Sequence, residues 1–158
     1  MSPEKTVQKI HAVVLSGGSA FGLEADSGVM NYLAKQGAGF PVGDITVPIV
    51  CGAVLFDLSI GSSHAHPDIQ MGYLAASRAS DTFPVGCYGA GTGASVGKLR
   101  GFAHAMKSGA GYAEFGLPGG LYVGATWQLM PAAKSMKEIT FWPVHCPMMT
   151  AILFLPMN

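Results

Sequence analysis

Charge is what this sequence has least of. Asp, Glu, Lys and Arg make up 11% of its 158 residues, nine acidic and nine basic, against about 25% in soluble domains generally. The net charge is zero and the isoelectric point is near 6.9. Such a balance argues against a nucleic-acid partner or an anionic membrane surface, both of which call for basic patches. Cysteine is also scarce. Cys51, Cys87 and Cys146 are odd in number and far apart, which excludes a disulfide framework and a C-x-x-C metal motif; reduced structural thiols are expected. Long uninterrupted apolar runs are missing too. The most apolar stretch, 141–157, is broken by Pro143, Pro147 and Pro156 and is too short for an ordinary membrane span. Met1-Ser2-Pro3-Glu4-Lys5 has no apolar signal region, so a cytoplasmic location is expected.

What is present is apolar and rich in glycine: 49% hydrophobic residues and 22 glycines. The length suits one domain or a piece of one. Low charge with abundant glycine suits an oligomer or a two-chain assembly that buries much of its surface, and a homo-oligomer is expected of the complete protein. His11 to Leu15 reads as a buried strand that ends in Ser16-Gly17-Gly18. A helix follows over Leu23 to Gln36, with Leu23, Val29, Met30 and Leu33 on its apolar face and Gly37 and Gly39 at its end. Phe40-Pro41-Val42-Gly43 is extended. Val47 to Leu58 reads as buried extended structure bent at Gly52. Gly61 to Pro67 is a loop. Asp68 to Ser80 is a second helix, burying Ile69, Met71, Leu74 and Ala75. Tyr112 to Leu117 and Leu121 to Ala125 form a hairpin across Pro118-Gly119-Gly120. The mixture predicts a layered α/β or α+β domain.

The strand–glycine–helix corner at Gly17 to Gly22 is the first candidate site. A turn of this kind directs backbone N–H groups and a helix start to a sheet edge, where an oxyanion or carboxylate can be held. Ser19 there is expected to cap the helix or close the turn. It is not a nucleophile elbow, because Phe21 stands where G-x-S-x-G needs glycine. Gly89-Ala-Gly-Thr-Gly-Ala-Ser-Val-Gly-Lys98 is the second candidate. As a P-loop it fails at Thr92 and Leu99, and as a dinucleotide turn it lacks its flanking elements, so no nucleotide or other cofactor is expected. Its functional reading is a glycine-lined wall for a substrate backbone, with Lys98 as a nearby cation. His64-x-His66 with Asp68 is half a metal site at most and suits an exposed loop before a helix; no metal is expected. His11 and His104 are expected to be structural. Asp57, next to Phe56 in an apolar run, needs a hydrogen-bond partner or a role.

Taken in order, 11–23, 40–43, 47–49, 53–58 and 89–98 resemble the L-aminopeptidase/D-esterase family, the self-cleaving DmpA-like peptidases. Their relatives include β-peptidyl aminopeptidases and nylon-oligomer hydrolases. The resemblance runs from about Ser2 to Ala125. It implies part of a four-layer α-β-β-α sandwich of the DmpA/ornithine-acetyltransferase type. It implies a Ser or Thr nucleophile, freed by self-cleavage, that attacks an amide or ester beside a free amino group. An asparagine would support the oxyanion. By the same resemblance Lys98 is a supporting catalytic residue. Gly17, Gly18, Ser19, Phe21, Phe56, Gly91, Thr92 and Gly93 line the substrate pocket. Phe56 stands near where some members carry a tyrosine, so no phenol role is expected.

Three of the family's parts find no match. One is a segment before Ser2, and Met1 is expected to lie inside a longer ancestral frame. Another is the oxyanion asparagine, due near Met130. The third is the nucleophile with its second chain. Residues 1–125 therefore read as a partial hydrolase region, and 126–158 as a non-homologous tail. A frame slip near Thr126 explains the tail. Shifted by one base, Trp127 into Gln128, Met130 into Pro131 and Trp142 into Pro143 each force alanine. Phe141 into Trp142 forces leucine, and Leu129 into Met130 permits the missing asparagine. DNA across Thr126 whose shifted codons cannot encode that asparagine would sink the idea. The expected function is a hydrolase piece inactive by itself; the alternative is a non-catalytic protein binding a small ligand or partner on the same partial fold.

Overall fold

A computed structural model describes residues 6–82, 84–119 and 121–128. The chain divides after Thr82 into two compact units. The first mixes strands with two α-helices, as the sequence predicts, and the described residues of the second form strands and 3-10 turns.

In the first unit, strand β1 (Ala12–Ser16) runs parallel to the strand β4 (Val50–Val54), with Ala12 opposite Val50 and Ser16 opposite Val54. Both ends of the pair are fastened. His11 N–H donates to the Ile49 carbonyl at 2.8 Å, and His11 Nδ1 accepts from Ile49 N–H at 3.0 Å. The imidazole is structural, as expected. Beyond β4, Leu55 N–H donates to Ser16 O and Ser19 N–H donates to Leu55 O, both at 2.9 Å. Parallel strands need a long crossover. Here it carries a 3-10 turn (Ser19–Leu23), helix α1 (Glu24–Lys35) and a small hairpin, β2 (Phe40–Val42) with β3 (Ile45–Val47). That hairpin goes beyond the single extended piece expected at Phe40–Gly43. Its two-residue loop is Gly43-Asp44, and Gly43 has φ 58°, the first loop position at which a type II′ turn favours glycine.

Helix α2 (Ile69–Ser77) starts where expected, with the Asp68 carboxylate accepting the Met71 N–H at 2.7 Å as N-cap. The buried faces differ from expectation. In α1 Val29 is buried as expected, together with Ala25 and Gly28, while Leu23 and Met30 are exposed. In α2 only Gly72 is buried; Ile69, Met71, Leu74 and Ala75 are exposed. The cause is glycine. A Cβ on Gly28 would overlap the Ile69 carbonyl and the Tyr73 nitrogen, and one on Gly72 would overlap the Ala25 backbone. The helices meet backbone to backbone at these two glycines, and the leucine and methionine stripes turn outward. β4 differs as well: Cys51, Gly52 and Ala53 are exposed rather than buried. Gly52 admits the Asp26 carboxylate, whose Oδ2 occupies the space of a Cβ.

Asp26 Oδ1 is enclosed without a hydrogen-bond partner, and burial raises the Asp26 pKa above the ordinary carboxylate value. A raised value means that the folded state holds this proton more tightly than the unfolded chain. Its contribution is therefore most favourable at low pH. It is lost as pH rises from the ordinary carboxylate range through the raised folded value. Asp26→Asn is expected to remove that fall, read as a flatter dependence of urea midpoint on pH. A variant that keeps the wild-type slope would contradict the assignment.

The second unit opens with a glycine-rich segment. It contains a 3-10 turn (Gly89–Thr92), strand β5 (Ser95–Val96) and two further 3-10 turns (Lys98–Arg100 and Phe102–His104). β5 pairs antiparallel with β6 (Met106–Lys107). The expected hairpin follows as β7 (Ala110–Leu117) and β8 (Leu121–Gln128). β8 runs past the expected boundary at Ala125. Thr126 is buried, and Trp127 lies opposite Gly111, where a Cβ would strike its indole. Trp127 and Gln128 thus belong to the strand. The remainder of the tail, including Met130, Cys146 and the forced codons at 141–143, lies outside the described residues. Cys51 and Cys87 are free thiols, but both are exposed rather than structural.

Candidate functional site

The glycine corner forms where β1 ends. Gly17 and Gly18 are buried, and Gly18 has φ 82°, a left-handed conformation that favours glycine. Ser16, also buried, donates its hydroxyl to the Gly17 carbonyl at 3.1 Å. The corner is already satisfied from within the chain. Gly18 N–H donates to Asp57 Oδ1 at 2.6 Å, and Ser19 N–H is taken by Leu55 O. The other Asp57 oxygen, Oδ2, lies where a Cβ on Gly17 would be. Asp57 thus has the partner its position demanded. The corner expected to hold an anion holds the chain's own carboxylate.

Ser19 makes no capping bond. Its φ is 54°, its Oγ is enclosed without a partner, and Gly18 is the capping residue. Phe21 is 60% exposed and stacks on the His66 ring at 5.0 Å between centroids, with 21° between planes. The His66 Cβ and Pro67 in turn fill the space beside Gly18. Phe56 is 53% exposed and adjoins Asp57 in sequence. Gly17, Gly18, Ser19 and Phe21 lie in and beside this turn, and Asp57, next to Phe56 in the sequence, is bonded to it. The sequence reading assigned His66 to an exposed loop and missed its packing here. Among the described residues, no three His, Cys, Asp or Glu side chains come together as a metal site.

The other predicted site residues lie in the second unit. Gly91 is buried, and a Cβ there would meet the Gly86 carbonyl and the Ala110 nitrogen. Thr92 Oγ1 donates to Cys87 O at 3.2 Å, and Gly93 closes the 3-10 turn. Lys107 brings a cation to this turn. Lys107 Nζ donates to Gly91 O at 3.4 Å and to Thr92 O. Lys98 is half-buried, with Nζ 6.0 Å from the Phe102 ring centroid, at the outer limit for a cation–π contact. Nothing in the sequence marked Lys107, because its reach depends on β5–β6 pairing. Ser95 is buried beside the turn, with its Oγ unpartnered.

Comparison with known proteins gives this geometry a family. The profile of Peptidase family S58 matches residues 1–129. The chain belongs to that family, the one to which the L-aminopeptidase/D-esterase resemblance pointed. An uncharacterized aminopeptidase of Mycobacterium leprae is 42% identical over 97% of this chain and 41% of its own length. One from Mycobacterium bovis is 39% identical over 90% of this chain and 40% of its own. A 6-aminohexanoate-oligomer endohydrolase of Kocuria is 38% identical over 56% of this chain and 25% of its own length. The chain thus spans about two fifths of the length of the first two relatives. Among the described residues, no helix is long and apolar enough to cross a membrane.

Proposed function

We propose that this chain supplies the glycine-walled part of an S58 amidohydrolase pocket, acting on N-terminal aminoacyl amides or esters. In this reading the sheets belong to a four-layer α-β-β-α sandwich. The Ser or Thr nucleophile comes from outside these 158 residues, and the complete enzyme is a homo-oligomer. The observation that carries the reading is the family match over residues 1–129, which spans both glycine-rich segments. The corner supports it: an exposed aromatic side chain, Phe21, belongs to an internally bonded glycine turn, as a pocket wall requires. The lysine proposed for the wall by resemblance is Lys98; Lys107 would act by holding the Gly91 and Thr92 carbonyls in place.

Two readings of the tail stand side by side. One is the frame slip near Thr126. The other is a native continuation, which the 97% coverage of the Mycobacterium leprae match favours. The DNA decides between them.

The purified chain is expected to release no p-nitroaniline from β-alanyl or D-alanyl p-nitroanilide, and to keep a single mass on prolonged incubation. Amine release above the blank, or cleavage into two chains, would show that the nucleophile is within these residues.

A further inference from the structure

The loop between β4 and α2 folds against the glycine corner through His66 and Pro67. Residues 59–65 are exposed, whereas His66 and Pro67 are half-buried. The His66 Cβ and the Pro67 Cδ fill the space on the Cβ side of Gly18, which is itself buried. Among the described residues, the hydrogen bonds of 59–67 reach no further than Asp57. Ile60 N–H donates to Asp57 O at 2.8 Å, Ala65 N–H to Ser62 O at 3.2 Å, and His64 N–H to Ser62 Oγ at 3.3 Å. The His66 ring adds a contact to the corner, stacked on the exposed ring of Phe21 with centroids 5.0 Å apart. One stack of this kind changes an equilibrium by a few-fold to about tenfold. A segment with exposed backbone and so weak a tie opens locally, without unfolding of the whole unit. Gly61, with φ 76° and open space around it, gives the loop a point at which to turn.

We propose that residues 59–67 form a strap over the glycine corner, clasped by the Phe21–His66 stack, and that a ligand reaches Gly18 when the clasp opens. The ends of the strap are fixed: Asp57 is bonded to Gly18 N–H, and Asp68 caps α2. Only the span between them moves. As a hinged cover, the strap rests on the packing alone. As a gate for substrate, it rests also on the reading of this corner as a pocket wall.

The test is NMR of the full chain with a soluble nitroxide, which broadens the signals of protons it can approach. His66→Ala keeps the Cβ beside Gly18 and deletes only the ring. It should raise the nitroxide effect on the Gly18 α-protons by about fivefold, within the range of one lost aromatic stack. Phe21→Ala removes the other ring and should do the same, so the test stands even where one variant fails to fold. His66→Phe keeps a stacking ring and should restore the wild-type value. The buried Ala25 and Val29 signals should not change in any variant. An unchanged effect at Gly18 in His66→Ala and Phe21→Ala would overturn the strap, and so would a His66→Phe variant that behaves as His66→Ala. A rise shared by Ala25 and Val29 would overturn it too, because the whole unit would then be loosening. The gate is read separately, with β-alaninamide as probe. Larger shifts at the corner in His66→Ala than in wild type would support it. An opened strap with no shift at any corner signal would leave the strap standing and overturn the pocket reading.

Discussion

Gly72→Ala is expected to destabilise the first unit by about 3 kcal/mol, the upper range for overpacking, because the added methyl would meet backbone rather than a movable side chain. The Ala25 carbonyl lies where the new Cβ must go, and Gly28 makes the reciprocal approach to Ile69 and Tyr73. Neither helix can yield without separating the pair, and the core it protects is small: Ala25, Val29 and Leu55. Gly37→Ala is the control. Gly37 has φ 70° and open space around it, so alanine there costs only the left-handed penalty of about 1 kcal/mol. Urea denaturation of the two variants checks the order. Equal losses would mean that helix contact does not depend on glycine.

The same glycines explain which parts of the fold the sequence disclosed. The starts of β1 and α2 and the β7–β8 turn were legible, because each is set by local chemistry: an apolar run ending in Gly-Gly, an Asp N-cap, a Pro-Gly-Gly loop. The buried helix faces were legible only at Val29. A periodicity argument assigns large apolar residues to the core, whereas α1 and α2 touch through the residues that such an argument weighs least. The Gly43 hairpin did carry a signal, Gly-Asp between two short apolar runs, which the reading of Phe40–Gly43 as a single piece passed over.

The site shows the same division. Asp57 stood out because a carboxylate inside an apolar run is costly, and the structure gives it a partner 39 positions away. The Phe21–His66 stack and the Lys107 contacts arise from loop packing and strand pairing. No local pattern encodes them. Resemblance to a family named the corner as pocket; only the geometry showed that its N–H groups are spent within the chain, Gly18 on the Asp57 carboxylate and Ser19 on the Leu55 carbonyl.

That carboxylate gives the second large expected effect. Asp57→Ala removes the acceptor that ties the end of β4 to the corner after β1 and leaves the Gly18 N–H without a partner. A lost charge-assisted bond at 2.6 Å with an orphaned donor costs about 2–3 kcal/mol. Asp57→Asn, which retains an acceptor, should lose about 1 kcal/mol or less. The vacated corner should then behave as the anion site that strand–glycine–helix turns build. Formate is expected to raise the melting temperature of Asp57→Ala relative to chloride at equal ionic strength, and to leave wild type and Asp57→Asn unchanged. Gly17 provides an independent check, since a Cβ there would collide with Oδ2. Gly17→Ala alone should be destabilising, though less than Gly72→Ala because it meets a side-chain end rather than backbone. Adding Asp57→Ala should recover part of the loss, because the collision disappears with the carboxylate. Strictly additive losses in that cycle would show that the two positions do not share the space. The corner would then owe its shape to glycine alone.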